Sequence, residues 1–252
     1  MIAISQGRDL RAITFDLWGT LIIDTPEGSR WSREERIRGI AGILKGAGIS
    51  TDPEAINRAY VIQGDQLERL WITHTDVSIR EQIELLLDIL QDGLRTRISE
   101  SLIDGLVEAY TTPILSAMPV PIDSALEVLE ALASRGLRLA VICNTGRTPG
   151  KILRIILQRL GMAPYLSAQT FSDELCLRKP HPEIFMRTLA ALGVEAPEAL
   201  HVGDTLATDF RGAQAIGMYA IHFDRLPCAK STPRVRDTIF SLLDLLRIAN
   251  DK

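Results

Sequence analysis

The sequence predicts an α/β protein with a doubly wound parallel sheet, Rossmann-like, and an inserted all-helical domain. Short apolar strand patterns alternate with helix patterns after Pro119, which is typical of a parallel sheet with helices on both faces. One more strand pattern, at residues 11–16, precedes a long stretch in which only helix patterns occur. We therefore expect residues 1–24 and 117–252 to form the α/β core, and residues 25–116 to form a helical insert.

The insert contains four helix patterns in succession, joined by short loops. The first follows Ser32 and Glu35, which have the spacing of a capping box, and it ends near Gly46. The other three begin at residues that commonly cap helices: Thr51 with Glu54 around Pro53, Ser78 with Glu81, and Ser101. Such a series predicts a small helical bundle.

The core region alternates strand and helix patterns. The strand patterns cover residues 137–143, 166–171, 200–203 and 219–223. The helix patterns cover residues 124–135, 149–160, 182–192, 209–216 and 238–249. Gly136, Gly161 and Gly193 directly follow the first three of these helices, as expected for a residue that ends a helix in the left-handed conformation.

Polar residues stand at the carboxyl ends of three of the strand patterns, namely Asp16, Asn144 and Asp204. In open parallel sheets, ligands bind beyond the carboxyl ends of the strands. Because these ends lie along one edge of the sheet, we expect the three side chains to meet at one site.

The composition excludes several classes of function. The 252 residues are 46% hydrophobic and carry a formal net charge of -4, without the basic excess typical of nucleic-acid binding. Cys143, Cys176 and Cys228 form no CxxC pair, which argues against a zinc site or a disulfide framework. No apolar run has the roughly 18 residues of a membrane span, and the first residues lack a signal-peptide stretch. We expect a cytoplasmic protein that binds neither nucleic acid nor membrane, and the oligomeric state stays open.

Four motifs occur in order along the chain. They are residues 13–21 (ITFDLWGTL), residues 140–144 (AVICN), residues 178–180 (RKP) and residues 201–209 (HVGDTLATD). Their order and spacing resemble the motifs of the haloacid dehalogenase superfamily, and the resemblance extends over the whole chain. It implies a hydrolase with a Rossmann-like core and a cap inserted after the first motif.

Asp16 stands at the end of an apolar strand, where packing alone requires no carboxylate. A carboxylate there can cap the following helix, or it can attack phosphorus and form an aspartyl-phosphate. The resemblance favours the second role and makes Asp16 the nucleophile. It also implies that Thr20 orients Asp16 and that Lys179 pairs with Asp16 and the transferring phosphoryl group. Without the surrounding motif, Lys179 would be interpreted as a solvated surface lysine.

The resemblance further implies a Mg²⁺ cofactor. Mg²⁺ prefers oxygen ligands and usually binds one or two carboxylates together with water and substrate phosphate. The implied ligands are Asp16, the backbone carbonyl of Trp18 and Asp204, while Asp209 orients the waters on the metal. Asp209 stands at the start of a helix pattern, so a capping role is its alternative.

Two positions depart from the pattern of the family. Cys143 replaces the usual serine or threonine, and because a thiol is a weak hydrogen-bond donor, Asn144 or Thr145 is expected to share the phosphoryl binding. A buried structural cysteine is an equal alternative. Trp18 replaces the second aspartate of family phosphatases, which protonates the leaving group. Loss of a general acid typically costs about 10²–10⁴ in rate.

The sequence therefore predicts a Mg²⁺-dependent phosphatase that acts on a small phosphorylated metabolite, an anionic small molecule, through an aspartyl-phosphate. One alternative is a 2-haloacid dehalogenase, whose branch of the family also has an aromatic residue at the position of Trp18. Dehalogenases work without Mg²⁺, lack the Gly-Asp pair of the fourth motif and use a cap arginine that residues 60–66 do not offer. A regulatory protein with weakened turnover is the other alternative, since it explains Trp18 and Cys143 together.

The helical insert fits the cap of this family, which closes over the site and contacts the substrate. Five arginines are candidates for holding a substrate anion: Arg33, Arg36, Arg58 and Arg69 in the insert, and Arg147 in the core. A solvated position is the alternative for each of them. Trp31 and Trp71 either pack inside the insert or line its floor, and both positions fit the sequence.

Overall fold

The structure is a computed structural model that describes residues 10–225 and 235–248. Its strands are, in chain order, β1 (Ala12–Phe15), β2 (Ile22–Ile23), β3 (Val120–Pro121), β4 (Arg138–Cys143), β5 (Leu166–Phe171), β6 (Ala199–Gly203), β7 (Tyr219–Phe223) and β8 (Thr238–Ile239). Six of them form a sheet in the order β5-β4-β1-β6-β7-β8, in which every neighbouring pair is parallel. β2 and β3 pair antiparallel with each other outside this sheet. β1 therefore lies between β4 and β6, at the centre of the core.

Helices cover both faces of the sheet. In chain order the helices are α1 (Pro26–Gly46), α2 (Pro53–Trp71), α3 (Ile79–Leu90), α4 (Glu100–Thr111), α5 (Ala125–Ser134), α6 (Gly150–Arg159), α7 (Ser172–Leu175), α8 (Pro182–Leu192), α9 (Arg211–Ala215) and α10 (Asp244–Ile248). Val141 in β4 belongs to the apolar cluster that includes residues of α5 and α6, whereas its neighbours Ala140 and Ile142 belong to the cluster with α8 and α9. Helices on both faces of a parallel sheet confirm the predicted α/β class.

The four helices between β2 and β3 pack around an apolar cluster of their own. Leu44, Ile56, Leu86 and Tyr110 are among its most deeply buried members. A separate core is what the predicted helical insert requires, while the bounds at residues 25–116 stay a prediction. No helix in the described part of the chain is long and apolar enough to cross a membrane.

The first helix starts earlier than its sequence pattern indicated. Thr25 caps α1 by accepting a hydrogen bond from the Gly28 N–H at 3.0 Å, and Pro26 occupies the first turn. Ser32 lies buried inside α1, so the predicted capping box of Ser32 with Glu35 is wrong. The cause is local, because Thr25 followed by Pro26 is already a complete helix start.

The next two helix starts lie close to their predicted positions. Asp52, and not Thr51, caps α2 and accepts a hydrogen bond from the Glu54 N–H at 3.1 Å. At α3 the predicted capping box is confirmed. Ser78 Oγ accepts from the Glu81 N–H at 3.2 Å, and Glu81 Oε2 accepts from the Ser78 N–H at 2.7 Å.

The predicted helix over residues 238–249 is wrong in its first part. Thr238 and Ile239 form β8, which lies parallel to β7 at the edge of the sheet. The Asp224 N–H donates to the Ile239 carbonyl at 2.9 Å, and the Ile239 side chain is buried. Pairing with β7 covers what would otherwise be an open sheet edge, so the tertiary contact overrides the local helix pattern.

Replacing Ser78 by alanine should lower the free energy of unfolding by about 1 kcal/mol, because the N–H of Glu81 loses its capping acceptor. Ser32→Ala is the matched control, since Ser32 Oγ has no hydrogen-bond partner among the described residues and lies inside a helix. We expect the control to change the free energy of unfolding by less than about 0.5 kcal/mol. Urea denaturation followed by circular dichroism measures both variants. Equal losses of stability in the two variants would contradict the assignment of the capping contribution to Ser78.

Candidate active site

Asp16 follows β1 directly and lies buried at the carboxyl end of the central strands. Its N–H donates to the Val202 carbonyl in β6 at 2.8 Å, which extends the pairing of the two strands by one residue. The hydroxyl of Thr20, in the turn after the strand, donates to Asp16 Oδ2 at 3.2 Å. This is the contact expected of a threonine that orients the carboxylate.

The ammonium group of Lys179 contacts three oxygens inside the protein. It lies 2.6 Å from Asp16 Oδ1, 2.7 Å from Asp209 Oδ1 and 2.6 Å from the Ile142 carbonyl in β4. A lysine ammonium has three N–H donors, so these oxygens can use all of them. Lys179 therefore links the ends of β1 and β4 to the loop after β6. A phosphoryl oxygen can reach this ammonium only by sharing or replacing one of these acceptors.

Asp204 and Asp209 come from the loop after β6. Asp209 is buried, with Oδ1 3.3 Å from His201 Nε2, a contact that no sequence pattern indicated, and with Oδ2 accepting from the Thr205 N–H at 3.0 Å. Asp209 lies inside a turn of π-helix and does not cap α9, so the capping alternative is wrong. A side chain at Gly203 would overlap Asp209, which explains why glycine ends β6.

Asp204 is exposed and lies against Gly19, in the turn after β1. Gly19 has a φ of +79°, in the left-handed region, and a Cβ there would overlap the carboxylate of Asp204. Glycine is thus required both for the backbone conformation and for space. The close approach brings oxygens of Asp16, Asp204 and Asp209 within 4.8 Å of one another.

The cluster has three carboxylates and one ammonium group, so it has an excess of negative charge. Burial raises the pKa of Asp16 to about 7, against the opposing field of Lys179 and with support from Asp209 and Asp204. Burial also acts to raise the pKa of Asp209, but Lys179 and the hydrogen bond to His201 outweigh it and hold that pKa below its usual value. Burial lowers the pKa of His201 and so favours its neutral form. A hard divalent cation fits both the charge and the oxygen donors of this cluster.

Asn144 and Cys143, at the end of β4, have different surroundings. The Asn144 amide contacts the backbone of Lys179: Nδ2 donates to its carbonyl at 3.0 Å, and Oδ1 accepts from its N–H at 2.7 Å. Cys143 is fully buried in an apolar cluster, and burial raises the pKa of its thiol. Thr145 is buried too, with its hydroxyl 3.4 Å from Asp76 Oδ2. These contacts favour a positioning role for Asn144 and packing for Cys143, while phosphoryl binding by either residue stays a prediction.

A cavity of about 340 Å³ opens beside Trp18. Residues of α1 and α2 line it on one side, and the loop after β4 lines it on the other. Trp18 is half-buried, packs against an apolar cluster of the core and lines the cavity together with Asn144. Its predicted part in the metal site, through the backbone carbonyl, stays a prediction.

Two of the five candidate arginines, Arg36 and Arg147, line this cavity. Arg58 and Arg69 are exposed on α2 and do not line it. Arg33 is exposed as well. The solvated alternative therefore holds for Arg33, Arg58 and Arg69, and it does not hold for the other two.

Asp76 and Arg178 join the insert to the core next to the site. Asp76 is buried in the loop after α2 and accepts from the Arg178 guanidinium at 2.7 Å and from the Trp71 indole N–H at 3.0 Å. The Arg178 guanidinium lies 4.3 Å from the centre of the Trp71 ring, so Trp71 packs where the insert meets the core. Trp31 is 39% exposed, so it does not pack inside the insert, and it is not among the residues that line the cavity. For the ion pair between Asp76 and Arg178, the only signal in the sequence was the position of Arg178 directly before Lys179.

The profile of the haloacid dehalogenase-like hydrolase family matches residues 10–217. Haloacid dehalogenase-like hydrolase domain-containing protein 3 of Bos taurus is 27% identical over 214 residues, which are 84% of this chain and 80% of the relative. The phosphoglycolate phosphatase of Rhodospirillum rubrum is 41% identical over 106 residues, 42% of each protein. The glyceraldehyde 3-phosphate phosphatase of Pyrococcus abyssi is 37% identical over 119 residues, 47% of this chain and 48% of that protein. The chain thus matches these two phosphatases over less than half of their length.

Solved structures share the whole architecture. A HAD phosphatase from Thermococcus onnurineus has a TM-score of 0.61 at 22% identity and covers 96% of this chain and 99% of its own. A 2-haloacid dehalogenase from Pseudomonas syringae has a TM-score of 0.66 at 22% identity, with coverages of 95% and 98%. At this identity the likeness shows the fold alone, and the fold does not separate the two activities.

Replacing Lys179 by methionine should lower the free energy of unfolding by about 3–5 kcal/mol in EDTA, because two buried carboxylates lose their shared counter-ion. Adding Asp16→Asn to this variant should recover part of the loss, since it removes one of the two unpaired charges. Urea denaturation of the two single variants and of the double variant measures the coupling free energy between Lys179 and Asp16. A loss below about 1 kcal/mol in Lys179→Met, as expected of a surface lysine, would contradict the geometry.

Proposed function

The chain belongs to the haloacid dehalogenase-like hydrolases, and we propose that it is a Mg²⁺-dependent phosphatase acting on a small phosphorylated molecule. One observation carries the proposal. The carboxylate of Asp16 is held by Lys179 and lies within 4.8 Å of Asp204 and Asp209. Such a cluster combines a nucleophile, a fixed positive charge and the oxygen ligands of a metal site.

In the proposed reaction Asp16 forms a bond to phosphorus while the bond from phosphorus to the leaving oxygen breaks. Water then attacks the aspartyl-phosphate, releases inorganic phosphate and restores the carboxylate. Thr20 and Lys179 contact the two oxygens of Asp16 and so restrict the carboxylate to one orientation. The positive charge of Lys179, next to Asp16, would also stabilise the negative charge that develops on the phosphoryl group.

Asp16, Asp204 and the backbone carbonyl of Trp18 would hold the Mg²⁺, with Asp209 orienting its waters. The bound ion would supply positive charge that stabilises the phosphoryl oxygens. The donor set supports this assignment, because it consists of oxygens and its carboxylates outnumber the one ammonium. Asp209 already forms contacts through both of its oxygens, which suits an indirect role beside the metal.

Two relatives support the class of substrate. They are named for phosphoglycolate and for glyceraldehyde 3-phosphate, which are both small phosphate esters. Because both match this chain over only part of their length, we propose the general class of ester for this chain and neither particular compound.

Trp18 favours a second candidate, a 2-haloacid dehalogenase, because an aromatic residue at this position is typical of that branch of the family. The carboxylate cluster opposes this candidate. A dehalogenase works without Mg²⁺, which would leave the excess negative charge around Asp16 uncompensated.

Hydrolysis of 4-nitrophenyl phosphate tests the proposed function. We expect turnover in MgCl₂, no turnover in EDTA, and no chloride release from 2-chloropropionate. Asp16→Asn should retain less than about a tenth of the wild-type rate, because a neutral amide is a poor nucleophile. Asp65→Asn, at an exposed position on α2, is the matched control and should keep full activity. Chloride release in EDTA would establish the dehalogenase in place of the phosphatase.

The absence of an acid at Trp18 should make the rate depend steeply on the leaving group. The aryl oxide of an aryl phosphate departs without protonation, whereas the alkoxide of an alkyl phosphate needs a proton to leave. We expect wild type to prefer 4-nitrophenyl phosphate strongly over glycerol 3-phosphate in kcat/KM, and Trp18→Asp to raise only the turnover of the alkyl ester.

Folding of Trp18→Asp is checked first by circular dichroism, because removing a large aromatic side chain from a packed position can cost about 3 kcal/mol or more. A wild type that hydrolyses both esters equally fast must obtain its proton from another group. That result would reject the interpretation of Trp18 as a missing acid.

A further inference from the structure

Two arginine side chains at the cavity, the buried Arg36 and the half-buried Arg147, form hydrogen bonds only to neutral groups. Arg36 on α1 is 8% exposed and donates to the Tyr110 carbonyl at 2.7 Å and to the Thr148 hydroxyl at 3.3 Å. Arg147, in the loop after β4, donates to the Tyr60 carbonyl at 3.1 Å. None of these hydrogen-bond acceptors carries a negative charge that could neutralise a guanidinium group.

Neither of these guanidinium groups takes part in an ion pair among the described residues, whereas Arg178, at the same cavity, is paired with Asp76 at 2.7 Å. Asp24, the one carboxylate in the lining, is exposed to solvent and forms no ion pair with either arginine, although the charge of Arg36 acts to lower its pKa against the effect of burial. A buried charge without a counter-ion is strongly unfavourable. The cavity thus has an excess of positive charge that a bound anion would neutralise.

Arg147 is held in place before any ligand binds. Its guanidinium lies 4.0 Å from the centre of the Tyr60 ring, which restricts the side chain to one direction. Gly64 on α2 leaves room for it, because a Cβ there would lie only 2.9 Å from the terminal Nη2 of Arg147. A preorganised cation binds an anion with less loss of side-chain freedom.

Two polar atoms at this cavity are also left without partners. Arg147 Nε and Ser32 Oγ are buried and form no hydrogen bond within the described residues, and both residues belong to the cavity lining. Buried polar groups normally find a partner, so unpartnered ones point to a missing ligand or water. Their position beside an excess of positive charge favours an anion with several oxygen acceptors.

We propose that this cavity is a subsite for a second anionic group of the substrate, a carboxylate or a phosphate, bound by Arg36 and Arg147. The inference rests on the proposed phosphatase function and names its substrate class, phosphate esters that carry a second anion. Trp18 lines the cavity and stands two residues after Asp16, so one small molecule can extend between both sites. The volume of about 340 Å³ admits a group of this size. Because Arg36 belongs to the insert and Arg147 to the core, the anion would bridge the two.

Three substitutions separate charge, position and background. Arg147→Met removes the positive charge and keeps an apolar chain of similar length against Tyr60. Gly64→Ala keeps the charge but displaces the guanidinium, and it does not weaken the helix because alanine has the higher helix propensity. Gly42→Ala in α1, where a Cβ would meet nothing within 4 Å, is the matched control.

Ligand affinity is measured by titration calorimetry in MgCl₂, with every substitution placed in the Asp16→Asn protein to prevent turnover. One ligand pair, 3-phosphoglycerate and glycerol 3-phosphate, tests a carboxylate, and a second pair, propane-1,3-diol bisphosphate and its monophosphate, tests a phosphate. In at least one pair we expect the more anionic member to bind about tenfold tighter or more. Arg147→Met and Gly64→Ala should each reduce this ratio below about threefold, while Gly42→Ala should preserve it.

Equal affinities within both pairs, or a ratio that Arg147→Met leaves unchanged, would overturn the subsite. Wild-type turnover of 4-nitrophenyl phosphate is measured separately and decides the proposed function. If there is no turnover but the affinity ratio persists and falls in Arg147→Met, the phosphatase proposal fails and the anion site stands. If turnover occurs without any preference in either pair, the phosphatase stands and the subsite fails.

Discussion

The ammonium of Lys179 lies between two buried carboxylates and the end of a third strand. It joins Asp16 after β1, Asp209 after β6 and the Ile142 carbonyl of β4. Without this charge the two carboxylates would be buried with no counter-ion, which is among the costliest arrangements in a protein interior. Asn144 in turn binds both backbone groups of Lys179 and so holds the residue that carries the charge. The geometry of the whole site depends on this one cation.

The parallel topology brings these groups to one edge. Since β1 lies between β4 and β6, the residues after all three strands come within a few ångströms of each other at their carboxyl ends. Gly19 and Gly203 then allow the carboxylates of Asp204 and Asp209 to approach. Burial is the main cause of the raised pKa of Asp16, and repulsion from Asp209 and Asp204 adds to it, so both effects destabilise the charged cluster. A bound cation would offset it, so the same crowding that costs stability favours metal binding.

The insert is attached to the core next to Lys179. In the loop after α2, Asp76 donates its N–H to the Cys176 carbonyl at 3.1 Å, and the His74 carbonyl accepts from the Arg178 N–H at 3.0 Å. These bonds pair the insert with the segment that leads directly into Lys179. Any displacement of the insert would therefore act on Lys179, the residue that holds the nucleophile. The cavity at the same junction is lined by residues of both the insert and the core, so a displacement of the insert would also change its shape.

Sequence alone determined the α/β class, the helical insert and the cap at Ser78, because these depend on periodic burial and on hydrogen bonds between near neighbours. The resemblance of its motifs to those of the family also implied that Asp16 and Lys179 would meet. Only the tertiary structure decided that residues 238–239 form a strand, since the edge of β7 offers backbone partners that a local pattern cannot include. The tertiary structure likewise decided that, of the five candidate arginines, Arg36 and Arg147 line the cavity. Which arginine is buried against which carbonyl depends on how distant helices and loops pack, and that packing has no local signature.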